Sequence, residues 1–188
     1  GLYTIKTNKN SYTAKNILDT RIRLDVFKKY PFMYQSFLGY EIEINKKNKI
    51  ALNQAHIMKN MESLDDFFCF DYILPIKKNV FLFEFTVFSK QLYSVSFFKK
   101  RIINRLKNHY DGEFKIIRKE FGVIPMGFVD RDKTNFDKNY ILGGTVAGAV
   151  RPSSGYAFLR IQKWALECAK NIERKVTHIF SDIKDLLE

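Results

Sequence analysis

The sequence predicts an α+β fold, with a mixed β-sheet followed by a carboxy-terminal helix. Three observations support this prediction. Alternating or aromatic-rich strand patterns fill the first half of the chain, a helical period begins near Ser94, and a longer helical pattern follows Tyr156. Strands that come first and mixed elements that follow are typical of α+β proteins. The 188 residues, 46% of them hydrophobic, suffice for a substantial core.

The first strands are predicted near the amino terminus. Residues 1–20 alternate weakly and predict a hairpin of strands. Phe37–Ile44 is a clearer strand, because Tyr40–Ile44 alternates strictly between apolar and acidic residues. One face of this strand is therefore expected to be buried and the other solvated. The lysine-rich residues 45–50 predict a solvated turn.

Two aromatic strands and a helix are predicted in the middle of the chain. Residues 67–76 are rich in aromatic side chains and contain Pro75 near their end, as a strand does close to a turn. Residues 80–89 form the third strong strand pattern. From Ser94 to Tyr110 the apolar residues recur at steps of three and four, which predicts a helix. Gly112 is the expected cap at its end.

The last third of the chain mixes short strands with the longest helix. Strands are predicted at 114–117 and 140–142, separated by a polar loop over 130–139. A glycine-rich turn follows, and Ser153 or Ser154 is expected to cap a helix that runs from Tyr156 almost to the end. The predicted buried stripe of this helix comprises Ile161, Trp164, Ala165, Cys168, Ala169, Ile172, Val176, Ile179 and Ile183.

Composition excludes several classes of protein. The cysteines, Cys69 and Cys168, are too few for a disulfide scaffold and lack zinc-type spacing, so a reducing compartment is expected. The three histidines are far apart in sequence and predict no metal site. No apolar run reaches the length of a membrane-spanning helix, and no signal peptide is recognisable. The chain begins with Gly1, which suggests a processed or truncated product.

The chain carries a strong positive charge. Lys and Arg total 32 against 20 Asp and Glu, a formal net charge of +12. A biased composition explains the charge most simply. Binding to an anionic membrane surface is the next interpretation, and binding to nucleic acid the third. No recognised DNA- or RNA-binding motif is present.

The most informative segment is the glycine-rich turn, residues 143–156, which reads Gly-Gly-Thr-Val-Ala-Gly-Ala-Val-Arg-Pro-Ser-Ser-Gly-Tyr. A short strand leads into it and a long helix follows. Small residues let the backbone approach a ligand closely, and amides at a helix start suit an anion such as a phosphate. A tight turn from strand to helix explains the residues equally well. No Walker-type ending is present.

Glu84 is the second candidate, because it lies among aromatic and aliphatic residues in the strand 80–89. If alternation holds, Leu82, Glu84 and Thr86 share one face. Burial of the carboxyl group would raise its pKa and prepare it as a general acid. From periodicity alone, the solvent face of an edge strand is the simpler interpretation.

Six segments of the chain resemble lycopene cyclases, the flavin-dependent enzymes that cyclise carotenoids. They occur in the family's order and cover nearly the whole chain. The segments are Asp19-Thr-Arg21, Tyr34–Glu41, Cys69–Pro75, Phe83–Ser89, Phe121–Met126 and the glycine turn with Pro152-Ser-Ser-Gly-Tyr156. Each is weak alone, and together they are specific.

The chain departs from the family pattern in informative places. Phe85 stands where many members carry a second acid after the residue matching Glu84, and Ala147 replaces a glycine of the turn. The dinucleotide-binding βαβ unit with GxGxxG, which opens these proteins, is absent. The resemblance therefore predicts a fragment of a two-domain FAD/NAD(P)-binding flavoprotein, with an aromatic-hydroxylase-like architecture. Residues 1–128 would hold the substrate-domain sheet, including the end of the flavin-domain strands at 1–21, and residues 129–188 the flavin-contacting turn and helix.

The resemblance implies a lycopene β-cyclase, which forms β-ionone rings from lycopene or another acyclic carotene. It implies reduced FAD as cofactor and NAD(P)H as reductant, with Glu84 as the catalytic residue, either the acid or a carboxylate that stabilises the cation. It also implies a cytoplasmic location peripheral to the membrane, without nucleic acid. The residues implied to contact the flavin are Gly144, Thr145, Gly148, Pro152, Ser153 and Gly155, with Asp19 and Arg21. The isolated fragment is expected to be inactive and to bind flavin weakly.

Two alternatives remain open at this point. One is another FAD-dependent enzyme of the same architecture, such as a hydroxylase or an isoprenoid reductase, since a fold does not determine its chemistry. The other is a basic domain without catalysis that binds anionic membranes or nucleic acid. A Glu84→Gln variant separates the first alternative from a cyclase, because a hydroxylase tolerates loss of this acid. Salt-sensitive binding without a flavin requirement would indicate the second.

Overall fold

A computed structural model describes residues 2–27, 31–45, 51–130, 135–137 and 140–175, and it confirms the α+β class. The chain divides into two compact units. One unit is Met33–Ile124, and the other combines Gly1–Phe32 with Pro125–Glu188. The residues before Met33 therefore group with the carboxy-terminal segment, and the assignment of residues 1–128 and 129–188 to two functional parts stays a prediction.

The unit Met33–Ile124 is built on a five-stranded sheet with the spatial order β5-β6-β7-β4-β8. Strands β4, β7 and β6 pair antiparallel, as do β6 and β5. The bounds are β4 Met33–Ile44, β5 His56–Leu64, β6 Phe67–Lys77, β7 Val80–Ser89 and β8 Phe114–Met126. The bounds of β7 agree with the prediction at both ends, while β4 begins earlier than expected. Strand β8 continues far beyond the predicted 114–117.

Helix α1, Val95–His109, packs on one face of this sheet. Its buried residues Phe98, Ile102 and Leu106 follow the predicted helical stripe and join the core formed by the sheet. Ser94 caps the start, because its Oγ accepts a hydrogen bond from the Phe97 amide over 3.4 Å. The helix ends at His109 with Tyr110 as its C-cap. The predicted cap at Gly112 is therefore wrong.

Strand β5 is the element that the sequence patterns did not reveal. It pairs irregularly with β6, and Met58 and Asn60 adopt positive φ angles of 54° and 53°. These irregularities break the alternation of buried and exposed residues. Ile57 and Met61 are 69% and 61% exposed, so their apolar character does not reflect a buried face. The predicted turn at 45–50 lies outside the described residues except for Asn45.

The other unit contains the predicted amino-terminal hairpin and a small three-stranded sheet. The hairpin is β1, Tyr3–Lys6, paired antiparallel with β2, Ser11–Ala14. In the small sheet β3 pairs parallel with β10, and β10 pairs antiparallel with β9. The strands are β3 Ile17–Asp19, β9 Asn135–Asp137 and β10 Tyr140–Leu142. Strand β10 matches its prediction, and β9 corrects the prediction of a continuous loop over 130–139.

Helix α2, Phe158–Glu173, starts later than predicted and is capped differently. Its N-cap is Ala157, which makes no side-chain cap bond, so the expected cap by Ser153 or Ser154 is wrong. Trp164 and Cys168 are buried as expected. Of the other residues in the predicted stripe, Ile161 is partly buried, whereas Ala165, Ala169 and Ile172 are exposed. Val176, Ile179 and Ile183 lie outside the described residues. Within the described ranges, neither helix is both long enough and apolar enough to cross a membrane.

Candidate functional site

Glu84 lies on the central strand of the five-stranded sheet, on the face opposite α1. Its neighbours in sequence, Phe83 and Phe85, are fully buried and pack toward the helix. Because successive residues of a strand point to opposite faces, Glu84 shares its face with Leu82 and Thr86, as predicted. The alternative that this is an edge strand is wrong, since β7 has a paired strand on each side.

Three residues from neighbouring strands surround Glu84. Tyr72 of β6 and Gly39 of β4 are its directly opposed partners in the two antiparallel pairs. Glu120 of β8 lies over Gly39, since a Cβ atom built on Gly39 would stand 2.9 Å from Glu120 Cγ and 3.0 Å from its Oε1. Tyr72, Glu84, Gly39 and Glu120 thus form one row across four strands, which we call the carboxyl row.

The environment of Glu84 raises its pKa from 4.5 to about 7. The main cause is burial, which removes the charged form from water, and the charge of Glu120 adds to the effect. A hydrogen bond from Thr86 Oγ1 to Glu84 Oε1, 2.9 Å long, acts in the opposite direction. At neutral pH a substantial fraction of Glu84 is therefore protonated, as a general acid requires.

Aromatic rings lie around the carboxyl row on the same face. Phe37 of β4 and Phe70 of β6 lie opposite Thr86, which is two residues along β7 from Glu84 and on the same face. The ring centroids of Phe70 and Tyr72 are 5.2 Å apart, and those of Phe70 and Phe88 are 5.6 Å apart. Aromatic faces attract a cation, so this arrangement suits a positively charged reaction intermediate beside a carboxyl group.

Asp19 and Arg21 lie beside the start of the glycine turn, in the other unit. The turn follows directly on β10, and β10 pairs with β3, the strand that ends at Asp19. The Gly143 amide donates a hydrogen bond to the Asp19 carbonyl over 2.9 Å. The Arg21 guanidinium donates to both carboxylate oxygens of Asp19, over 2.9 and 2.7 Å, and the Tyr140 hydroxyl adds a third bond of 3.2 Å. The bonds from Arg21 are the main reason that the pKa of Asp19 falls to about 2.

The glycine turn offers backbone without obstructing side chains. Gly144 has a φ of +66°, and a Cβ built on it would meet nothing within 4 Å. Gly144–Ala147 form a single 3-10 turn, which Gly148 ends in the left-handed conformation at a φ of +83°. Thr145 is partly buried within this turn. The open space over Gly144 fits the close approach of a flat cofactor or of a phosphate.

The second part of the turn is a tight loop. The Gly155 amide donates to the Arg151 carbonyl over 2.9 Å, and Gly155 has a φ of +70°. Pro152 is partly buried and Ser153 is exposed within this loop. A side chain at position 155 would be strained by the positive φ, which explains the glycine.

A family model described as lycopene cyclase protein matches residues 4–183. The chain belongs to the lycopene cyclase family. No curated protein matches it. Family membership associates the chain with the cyclisation of carotenoids, and the family is generally flavin-dependent. The small-residue turn, with open space over Gly144, is compatible with that kind of cofactor.

Within each unit, the structure groups some predicted site residues of this lycopene cyclase family member and adds others. Asp19 and Arg21 lie together with the first residues of the glycine turn. Glu84 lies in the unit Met33–Ile124. Sequence reasoning assigned no role to Tyr72 or Glu120, since only the pairing of distant strands brings them to Glu84. In the part of the chain that the structure describes, no three His, Cys, Asp or Glu residues are grouped as metal ligands.

Proposed function

We propose that this chain carries the substrate-binding sheet and the proton donor of a lycopene β-cyclase. The reaction converts acyclic end groups of lycopene into β-ionone rings without net oxidation or reduction. The observation that carries the proposal is Glu84, a partly buried carboxyl group with a pKa of about 7 among aromatic rings. Membership in the lycopene cyclase family supports the substrate class.

The chemistry needs an acid whose pKa lies near neutral pH, and Glu84, with a pKa of about 7, meets this requirement. Glu84 gives its proton to the terminal double bond of the end group, which leaves a tertiary carbocation and a carboxylate. The electron pair of the next double bond attacks the cation, so the ring bond forms and the positive charge moves onto the ring. A ring proton then returns to the Glu84 carboxylate. The product is an isomer of the substrate.

Other groups on the face contribute to this cycle without exchanging protons. Phe37, Phe70 and Tyr72 present aromatic rings near Glu84, and such rings stabilise a passing cation. Thr86 keeps the carboxyl oriented through its 2.9 Å hydrogen bond.

Reduced FAD is the proposed cofactor, with NAD(P)H as its reductant. Gly144, Thr145 and Gly148 would lie against it through the glycine turn, with Pro152, Ser153 and Gly155 in the following loop. Asp19 and Arg21 lie next to Gly143 and would support the same site. When bound, a reduced flavin would supply an electron-rich ring system of the kind that stabilises a carbocation.

Lycopene is a hydrocarbon that resides in lipid, so the enzyme is proposed to act at a membrane surface from the cytoplasmic side. The net charge of +12 supports this, because cytoplasmic membrane surfaces are negatively charged. Peripheral docking of this kind weakens as salt screens the charges.

The proposal is tested with Glu84→Gln in the full-length protein, expressed in cells that accumulate lycopene. We expect cyclised carotenes to fall by about 100-fold or more, because the amide has no proton to give. The matched control is Glu43→Gln on β4, where the carboxylate accepts a 3.3 Å bond from Asn79 at the end of the sheet. If Glu84→Gln still cyclises lycopene fully, the proposed function is contradicted. If the variant instead retains a flavin-dependent reaction on another substrate, the hydroxylase or reductase alternative is favoured.

A further inference from the structure

We propose that Glu120 is a second carboxyl group of this site and faces the same bound end group as Glu84. This inference rests on the proposed function and adds a residue to it. The position that follows Glu84 in the strand cannot supply a second carboxyl on this face, because Phe85 is fully buried and packs toward α1. A second carboxyl on this face can come only from another strand, and β8 carries one in Glu120, whose side chain lies over Gly39.

Gly39 makes the approach of Glu120 possible. It lies opposite Glu84 in the β4–β7 pair, and strand β8 lies on the other side of β4. A side chain at position 39 would occupy the space of Glu120, since its Cβ would be 2.9 Å from Glu120 Cγ and 3.0 Å from Oε1. Cβ atoms do not approach other atoms this closely, so a side chain at position 39 would force Glu120 to move. The absence of a side chain therefore lets Glu120 lean across β4 toward Glu84.

Arg118 determines the orientation of the Glu120 carboxylate. Its Nη1 donates to Glu120 Oε2 over 2.6 Å, and its Nε donates to Glu41 Oε2 over 2.8 Å. One oxygen of Glu120 is thus engaged by the guanidinium, while Oε1 is the oxygen closest to the space above Gly39. A charge-assisted hydrogen bond from the guanidinium therefore holds the Glu120 side chain in place.

The groups that face Glu84 are few in the described part of the chain. Tyr72 faces it from β6, Glu120 from β8 and Thr86 from its own strand. Glu41 lies on β4 opposite Leu82, and Arg118 bonds to both Glu41 and Glu120. Among these, the negative charge of Glu120 opposes ionisation of Glu84, since two like charges at one site disfavour each other. Glu120 thereby helps Glu84 retain the proton that the reaction uses.

The second effect of Glu120 arises once Glu84 has given up its proton. The end group is then a carbocation, and the Glu120 carboxylate is a fixed negative charge on the same face that stabilises it. Glu120 takes up no proton, since the ring proton returns to Glu84. The two carboxyl groups therefore have different roles: Glu84 exchanges the proton with the substrate, and Glu120 stabilises the positive charge of the carbocation.

The test measures the titration of Glu84 and the cyclisation rate in the full-length protein. Carbon NMR of glutamate side-chain carboxyls, with Glu84→Gln to assign the signal, follows the titration directly. In Glu120→Gln we expect the titration midpoint of Glu84 to move to lower pH, and we expect kcat to fall about tenfold or more. In the control Glu43→Gln we expect neither change, which separates the effect from a general loss of acidic charge.

Gly39→Ala provides a second variant that keeps the Glu120 charge but displaces it. We expect the Glu84 titration to move in the same direction, and this variant replaces Glu120→Gln if the latter does not fold. An unchanged Glu84 titration, or full cyclase activity in Glu120→Gln, overturns the proposal. Failure of the proposed function has a different signature, namely that the unaltered protein forms no cyclised carotene whatever the titration of Glu84.

Discussion

Arg105 of α1 donates a hydrogen bond from Nε to Oδ1 of Asp71 on β6 over 2.7 Å, and the Asp71 side chain is completely buried. Asn60 donates to the other carboxylate oxygen over 2.8 Å. A buried charge is tolerated only when it is paired and hydrogen-bonded, so this contact secures α1 on the sheet. It lies on the face opposite Glu84, behind the proposed site.

Replacing Asp71 by asparagine should destabilise the protein severely. The substitution leaves the partly buried Arg105 guanidinium without its main counter-charge, at an expected cost of about 3 kcal/mol. Unfolding in urea measures the loss. The matched control is Glu62→Gln, which removes a 3.2 Å contact to the same arginine from a side chain that is 52% exposed. The control should cost less than about 1 kcal/mol, and equal losses would contradict the structural role of Asp71.

Stability should depend on pH through Glu84. Its pKa is about 7 in the folded protein and 4.5 in the unfolded chain. Between pH 4.5 and pH 7 the folded state therefore keeps a proton that the unfolded state releases. The free energy of unfolding therefore falls as pH rises from about 4.5 to 7, by about 3 kcal/mol in total. Two neighbours modify this titration: the hydrogen bond from Thr86 favours the ionised form of Glu84, and the charge of Glu120 opposes it.

Glu84→Gln removes that penalty, because an amide does not ionise. Relative to the unaltered protein, the variant should gain stability between pH 5 and pH 8, measured by urea unfolding at both values. Glu43→Gln should show no such gain. If the difference in unfolding free energy between the variant and the unaltered protein is the same at pH 5 and pH 8, Glu84 ionises freely in the folded protein.

Gly122 on β8 leaves room for the ring of Phe37. A Cβ built on Gly122 would collide with Phe37 Cζ and Cε1, so Gly122→Ala forces the ring to move. Overpacking of this kind costs about 1–3 kcal/mol. Phe37→Leu combined with Gly122→Ala should recover part of the loss, because the smaller side chain vacates the space. Additive losses in this double-mutant cycle, measured by chemical unfolding, would show that the two positions are not in contact.

Asp19 should contribute stability that acid removes. Its pKa is lowered to about 2 by the hydrogen bonds from Arg21, so the folded state favours the ionised form. The contribution is complete above about pH 4 and disappears as the pH falls toward 2. Because Arg21 is 80% exposed, solvent screening keeps this contribution small.

The measurement compares Asp19→Asn with the unaltered protein by thermal unfolding at pH 6 and pH 3. The difference between the two proteins should shrink at the lower pH. Asp25→Asn is the control, since its ion pair with Arg23 involves a side chain that is 62% exposed. If the Asp25 variant reproduced the pH dependence of the Asp19 variant, the assignment to the Asp19–Arg21 pair would fail.

Local patterns in the sequence were sufficient for the strands and helices whose burial is regular. The alternation in β7 predicted its bounds and the shared face of Leu82, Glu84 and Thr86. The helical stripe of α1 predicted Phe98, Ile102 and Leu106 as buried. These predictions succeeded because the burial of each residue repeats with the geometry of its own element. Strand β5 has bulges and exposed apolar residues, so the same reasoning did not reveal it.

The sequence by itself determined the α+β class, most strands, the glycine turn and Glu84 as a candidate acid. Only the tertiary structure decided that Glu84 lies on a central strand, that Gly39 stands opposite it and that Glu120 leans into the gap. The physical reason is that the pKa of a carboxyl group depends on burial and on charges in space. Those neighbours come from β4, β6 and β8, and the pairing of strands distant in sequence leaves no periodic signal in any one of them.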